Sequence, residues 1–200
     1  MTSTKNIFEK AVKYHSENKF LEAKKLYKKI LKINPSDIHS LRHLGMIYQT
    51  QLQLNKALEL YTKVWDLDKK YYEIYNNIGT ILENKNLFEE AESWFEKCLD
   101  FDHNYIPALN NLSLVSSQLK KGEKALELSA RALQIDNNNE NANVAYGLAL
   151  MTAKESDKAI IFYEKILKRF PNNHDLLSNL AVAHRDEGNL EKSYNLNMRA

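Results

Sequence analysis

Ala23, Ala57, Ala91, Ala125 and Ala159 stand 34 residues apart in a chain of 200. Gly45, Gly79 and Gly147 fall on the same grid, and Pro35 and Pro171 lie four periods apart. Four residues after most of these alanines comes an aromatic: Tyr27, Tyr61, Phe95 and Tyr163. A period of this length marks a repeat architecture. Each unit is one supersecondary element that cannot bury its apolar face alone, so neighbours must stack.

The spacing inside one period is helical. Leu41, Leu44, Gly45 and Tyr48 recur at i, i+3, i+4 and i+7, one face of an α-helix. A glycine in that face costs up to ~1 kcal/mol relative to alanine, which close approach of a partner helix explains. In the second helix Ala57 takes the small-residue role, while Leu60, Tyr61 and Val64 supply bulk. Pro35 and Pro171 follow the second helix, where it must stop. Asn18, Asn86 and Gly188 fall between the two helices, where a left-handed residue turns the chain. Five glycines and three prolines are too few for the turns of an all-β fold. The fourth unit departs from the others. It carries Ser113, Ser116 and Ser129 at the small and aromatic positions and Gly122 where others have Phe20, Leu54, Phe88 or Leu190. The sequence therefore predicts that this layer is the least well packed.

The order of small and aromatic residues resembles the tetratricopeptide repeat, a 34-residue helix–turn–helix. The units run over 4–37, 38–71, 72–105, 106–139, 140–173 and an incomplete 174–200. The family's large residue at position 4 is Ile7, Leu41, Tyr75, Leu109 and Leu177, and its small residue at position 8 is Ala11, Gly45, Gly79, Ser113, Gly147 and Ala181. The resemblance implies an all-α fold, one right-handed α-solenoid of about six repeats over residues 1–200, that binds protein or peptide. The sequence stops inside the second helix of unit six, which reads as a fragment of a longer protein or as an end face covered by another copy, in self-association through the exposed end repeats.

Other chemistries find little support. A formal net charge of +2 gives no electrostatic reason to expect nucleic acid. The N-terminus has no apolar signal region, and no run of about 18 apolar residues predicts membrane insertion, so a cytoplasmic location is expected. Phosphate loops of the Walker and dinucleotide types, HExxH and GxSxG are all missing, so neither catalytic residues nor a cofactor is expected. Cys98, the single cysteine, occupies a position held elsewhere by Ile30, Val64 and Ile166 and reads as a buried core thiol. His39 and His43 have the i, i+4 spacing of a metal pair but no third ligand nearby. They read as polar groove residues, with no metal. Trp65 and Trp94 lie on second helices and read as packing residues.

In tetratricopeptide arrays the first helices line a concave groove, and the resemblance carries that role to positions 2, 5, 6, 9, 12 and 13 of each unit. Position 6 is Glu9, His43, Asn77, Asn111, Ala145 and Asn179; position 5 adds Arg42, Asn76 and Asn110. The asparagines resemble the ladder in the superhelical arm of O-linked N-acetylglucosamine transferases. An amide offers both a donor and an acceptor to a peptide backbone. The carboxylate clamp for acidic chaperone tails is not matched, since its first two positions hold Phe8 and Val12. The expected function is a non-catalytic scaffold for an extended peptide or a partner helix. The alternative is the substrate-selecting arm of a larger glycosyltransferase or sulfotransferase, with its catalytic domain beyond residue 200.

Overall fold

The computed structural model describes residues 4–200. Among these there are twelve α-helices and no strand. They are α1 (Thr4–Ser16), α2 (Phe20–Ile33), α3 (Ile38–Thr50), α4 (Leu54–Leu67), α5 (Glu73–Asn84), α6 (Phe88–Phe101), α7 (Ile106–Gln118), α8 (Gly122–Ile135), α9 (Glu140–Thr152), α10 (Ser156–Leu167), α11 (His174–Asp186) and α12 (Leu190–Asn197). Each odd-numbered helix begins within one residue of the first position of a 34-residue unit. The repeat is therefore an antiparallel helical hairpin, and no helix among the described residues is long and apolar enough to cross a membrane.

The hairpins share their punctuation. Residue 15 of every unit, namely Asn18, Leu52, Asn86, Lys120, Lys154 and Gly188, has φ between 55° and 80°. The next N–H then reaches back five residues, as in Lys19 N to Tyr14 O at 2.8 Å and Gln53 N to Tyr48 O at 2.8 Å, and caps the first helix. Ahead of the next hairpin, Asn34, Asp68, Asp102 and Asp136 each accept a bond from the backbone N–H two residues on, which turns the chain again. Asp37, Asn139 and Asn173 then act as N-caps, accepting from Ser40, Ala142 and Leu176 N–H.

The chain divides into two compact units, Met1–Leu87 and Phe88–Ala200. In the first, α1 to α4 bury Ala11, Ala23, Tyr27, Leu44 and Ile47, with Phe8, Tyr48 and Leu60 packed around them. In the second, α9 to α12 bury Leu150, Ala159, Tyr163, Ile166, Leu177 and Leu180. The five periodic alanines have no exposed surface at all. Two of the periodic glycines explain themselves. A Cβ on Gly45 would lie 2.8 Å from Tyr61 Cδ1, and one on Gly147 would lie 2.7 Å from the Tyr163 hydroxyl oxygen.

The fourth hairpin answers the sequence reading in part, since two of its three serines are satisfied and Ser116 Oγ is buried without a partner. Ser113, Ser116 and Ser129 are fully buried. Ser113 Oγ and Ser129 Oγ both donate to the carbonyl of Ala125, at 2.8 and 2.7 Å, which ties α7 to α8 and saturates two hydroxyls. At Gly122 a Cβ would stand 2.8 Å from the Ala153 backbone, so the missing side chain marks close approach rather than a void. Cys98 is fully buried, as its register position implies.

Candidate functional site

The odd-numbered helices carry every residue that the repeat register assigns to ligand contact. Of the two compact units, the first holds Glu9 on α1, Arg42 and His43 on α3, and Asn76 and Asn77 on α5; the second holds Asn110 and Asn111 on α7 and Asn179 on α11. Positions 5 and 6, adjacent in sequence, part ways in the structure.

Position 5 turns toward the following repeat. Asn110 is 4% exposed, and its Nδ2 donates to Asn139 Oδ1 at 3.2 Å. The acceptor is the N-cap of α9, so the amide stitches one hairpin to the start of the next. Arg42 makes the equivalent reach 29 residues along the chain. Its guanidinium lies 5.8 Å from the Tyr71 ring centre and donates to the hydroxyl at 3.4 Å. Asn76 is 8% exposed. Asn76 and Asn110 therefore present little surface to a ligand.

Position 6 keeps a partly open side chain. Asn77, Asn111 and Asn179 are half-buried. Asn77 Nδ2 is the exception, since that atom is itself buried, and it has no hydrogen-bond partner among the described residues. Burial pushes the Tyr163 phenol up and the Asn179 amide beside it acts in the opposite direction, without a hydrogen bond of normal geometry to the hydroxyl. Between α7 and α11 the position-6 residue is Ala145, fully buried, which leaves the two amides of unit two flanking a small residue. One turn further along, position 9 supplies Leu114, Leu148 and Val182, all half-buried. This row gives the face of α7, α9 and α11 an aliphatic strip beside its amides. Glu9 is exposed and lines an open hollow with Lys13 and Lys19.

His43 behaves differently. Its ring stacks on Tyr27 at 5.5 Å and 19°, with Phe8 edge-on at 5.5 Å and His15 edge-on at 5.7 Å. His39 lies 6.1 Å from Phe8 and 6.1 Å from Tyr71. Burial pushes the His43 pKa down to about 4, and the charges of Arg42, His15 and His39 reinforce that. Burial also lowers His15 and raises Tyr27 to about 12. The helix-face spacing of His39 and His43 was visible in the sequence, but the rings between them come from α1 and α2. Among the described residues no group of three or more His, Cys, Asp or Glu side chains is placed to hold a metal ion. Sequence reasoning missed this ring cluster, although Phe8, His15 and Tyr27 were available to a register count.

Comparisons with known proteins agree with the hairpin geometry. Tetratricopeptide-repeat models match residues 5–37 and 72–105, and a second model of the same repeat matches 118–180, so that together they take in well over half of the chain. No curated protein matches the sequence significantly. Similar solved structures include PilW, a type IV pilus biogenesis factor, at 20% identity over 98% of this chain and 91% of that one, with a TM-score of 0.86. Another is pilF of Pseudomonas aeruginosa, at 22% identity over 98% and 89%, with a TM-score of 0.79. A third is YrrB, a tetratricopeptide protein with an unusual peptide-binding site, at 22% identity over 86% and 89%, with a TM-score of 0.65. At these identities the likeness is one of fold. With six hairpins in a 34-residue register and the repeat models on the same stretches, the chain belongs to the tetratricopeptide-repeat family.

Proposed function

We propose that the chain is a non-catalytic scaffold that binds extended peptide on the faces of its odd-numbered helices, with Asn77 in the first compact unit, and Asn111 and Asn179 in the second, each holding peptide backbone. The observation that carries the reading is the split between positions 5 and 6. Asn76 and Asn110 are buried, Asn110 in a capping bond, while the position-6 asparagine side chains stay partly open. An amide pairs with a backbone N–H and C=O whatever the peptide's side chains are. In unit two the row of Leu114, Leu148 and Val182 supplies apolar surface for those side chains, so the preferred peptide is uncharged and aliphatic there. YrrB, similar in fold, is described as having a peptide-binding site, which is consistent with this use of the scaffold.

The test is calorimetric titration of the intact chain with a peptide selected on it from a displayed random library. Each lost hydrogen bond removes about 0.5–1.5 kcal/mol, so alanine at all three asparagines should weaken binding by roughly one to three orders of magnitude. Melting should stay nearly unchanged, and affinity should depend only weakly on salt. Asn110→Ala is the internal control and should lower stability more than affinity. A triple variant that binds as tightly as the wild type would reject the role assigned to these amides.

A further inference from the structure

Helix α2 presents one line of side chains to solvent. Leu21, Lys25, Lys28 and Lys32 recur at i, i+4, i+7 and i+11, a stripe about 16 Å long. All four are exposed, and so is Lys29 beside them. The opposite face of the helix is spent on the core, where Ala23, Tyr27 and Ile30 are buried. The same four register positions are exposed on α4 and α6, so the exposure belongs to the repeat and not to the place of α2 in the chain. What differs is the charge. The charged members of the stripe are Glu59 and Asp66 on α4, Glu89, Glu96 and Asp100 on α6, and Glu123 and Glu127 on α8. Of these helices α2 alone is basic there.

These lysines also stand without local acids. Among the described residues Lys25, Lys28, Lys29 and Lys32 make no ion pair, whereas Lys19 pairs with Glu17, Lys63 with Glu59, and Lys124 with Glu92 and Glu96. Glu22, the one acid on α2, lies about 100° around the helix from Leu21 and so off the line. The first 37 residues hold nine lysines against Glu9, Glu17, Glu22 and Asp37, a formal charge of +5. Since the whole chain carries +2, the residues after Asp37 sum to −3. A near-neutral total therefore conceals a basic first hairpin.

We infer that the α2 stripe rests on an anionic lipid surface, with Lys25, Lys28, Lys29 and Lys32 among the headgroups and Leu21 dipping into the boundary between headgroups and acyl chains. A basic cluster on a helix is drawn to anionic lipid, by about fivefold in affinity for each lysine near the surface. A protein partner fits less well, because interfaces between proteins are depleted in lysine and enriched in arginine, and α2 has no arginine. Nucleic acid fits less well too. The stripe offers no arginine fork to a phosphate, and Leu21, 62% exposed, gains nothing from a phosphodiester chain, whereas the bilayer boundary buries it. The contact is peripheral, since no helix among the described residues is long and apolar enough to cross a membrane. The stripe uses none of Asn77, Asn111 and Asn179, so it stands or falls separately from the surface proposed above.

The test is flotation of the full chain with vesicles of phosphatidylcholine alone and of equal parts phosphatidylcholine and phosphatidylserine. Binding should require the anionic lipid and should weaken steeply as salt is raised. Lys25→Gln, Lys28→Gln and Lys32→Gln together change exposed side chains only. That variant should melt as the wild type does and bind the mixed vesicles about a hundredfold more weakly. Leu21→Ser, which leaves the charge alone, should weaken binding by roughly fivefold. The matched control is Lys154→Gln with Lys165→Gln and Lys168→Gln, which removes the same charge from exposed lysines of unit two and should bind nearly as the wild type does. Equal binding to the two kinds of vesicle, full binding by the stripe variant, or an equal loss in the matched control would each overturn the assignment. Tighter binding of the stripe to duplex DNA or to polyglutamate than to the mixed vesicles would overturn lipid as its partner.

Discussion

Hairpins α3/α4 and α9/α10 close by laying a tyrosine ring on a glycine, whereas α7/α8 closes by directing two serine hydroxyls at one carbonyl. The same two register positions are involved in each case. In the ring-built layers Tyr61 and Tyr163 are fully buried, and the glycine opposite leaves no space for a methyl group. In the hydroxyl-built layer Ser113 and Ser129 are as deeply buried but hold the helices by direction rather than by area. The lesson is that these positions answer to each other. In the two ring-built layers a large ring meets a glycine, although in the first hairpin Tyr27 is fully buried with Ala11 at the glycine's register position. A serine opposite a serine needs an acceptor, which Ala125 supplies. The hydroxyl-built layer still has a weakness of its own. Ser116 Oγ and Ser117 Oγ are buried without a partner, and an unsatisfied buried hydroxyl costs about 1–3 kcal/mol.

The widest difference should appear when one methyl is added at the closing position. Gly147→Ala drives a Cβ into the Tyr163 ring, and overpacking of this kind costs about 1–3 kcal/mol even after the helix gains propensity. Gly45→Ala should behave alike against Tyr61. Ser113→Ala, at the equivalent place, removes one hydrogen bond without adding bulk and should cost about 0.5–1.5 kcal/mol. Chemical denaturation of the three variants decides the matter. Equal losses would erase the distinction between the two kinds of layer.

A second difference is acid sensitivity. The serine layer has nothing to titrate, while the Tyr27 layer of the first hairpin carries His43, faced by Phe8 and His15 from α1, Tyr27 from α2, and His39 and Arg42 on its own helix. His43 is neutral in the fold, with a pKa near 4 instead of its ordinary 6.5. Below 6.5 the unfolded chain binds a proton that the native chain refuses. The contribution is therefore complete above that pH and is lost progressively as pH falls toward 4. His43→Gln should flatten this slope, and hydrogen-exchange protection, taken relative to the intrinsic rate at each pH, should fall first in α1 to α3 between pH 7 and 4.5. A uniform fall in protection across Phe88–Ala200 would locate the sensitivity elsewhere.

How far the fold could be read from sequence depended on whether the deciding contact was local. Helix starts were legible because the 34-residue register carries one unit's start to the next, as at Ile38, Ile106 and Glu140. The left-handed turn was legible at Asn18, Asn86 and Gly188, whose residue types favour it. It was not legible at Leu52, Lys120 and Lys154, where the backbone bond to the preceding helix imposes the conformation on an unsuitable residue. The candidate surface was half legible. A helical wheel turns positions 5 and 6 toward the same face, but Asn110 is drawn to Asn139 and Arg42 to Tyr71 by the neighbouring repeat, 29 residues on. The serine pair misled because composition alone reads a small polar residue as missing bulk, and only the shared Ala125 carbonyl shows it satisfied.

The smallest expected effect tests whether the contrast between layers lies in their cores or in their turns. Leu52 closes a ring-built hairpin and Lys120 the hydroxyl-built one, and both hold nearly the same left-handed geometry, with φ of 55° and 58°. A residue with a Cβ pays roughly 1–2 kcal/mol in that region. Glycine avoids the strain but gives back about 0.5–1 kcal/mol in extra unfolded-state entropy. Leu52→Gly and Lys120→Gly should each therefore stabilise by about 0.5–1 kcal/mol, and by the same amount within error. Leu52 is 81% exposed, so its loss removes little packing. The measurement is the denaturation midpoint of each variant, with Gly188→Ala as the reverse control, expected to lose a similar amount. Equal gains place the difference between the layers in Tyr61 against Gly45 and Ser129 against Ser113. A gain confined to Leu52→Gly would mean that the turns differ as well, and that the serine layer already relaxes the strain at Lys120.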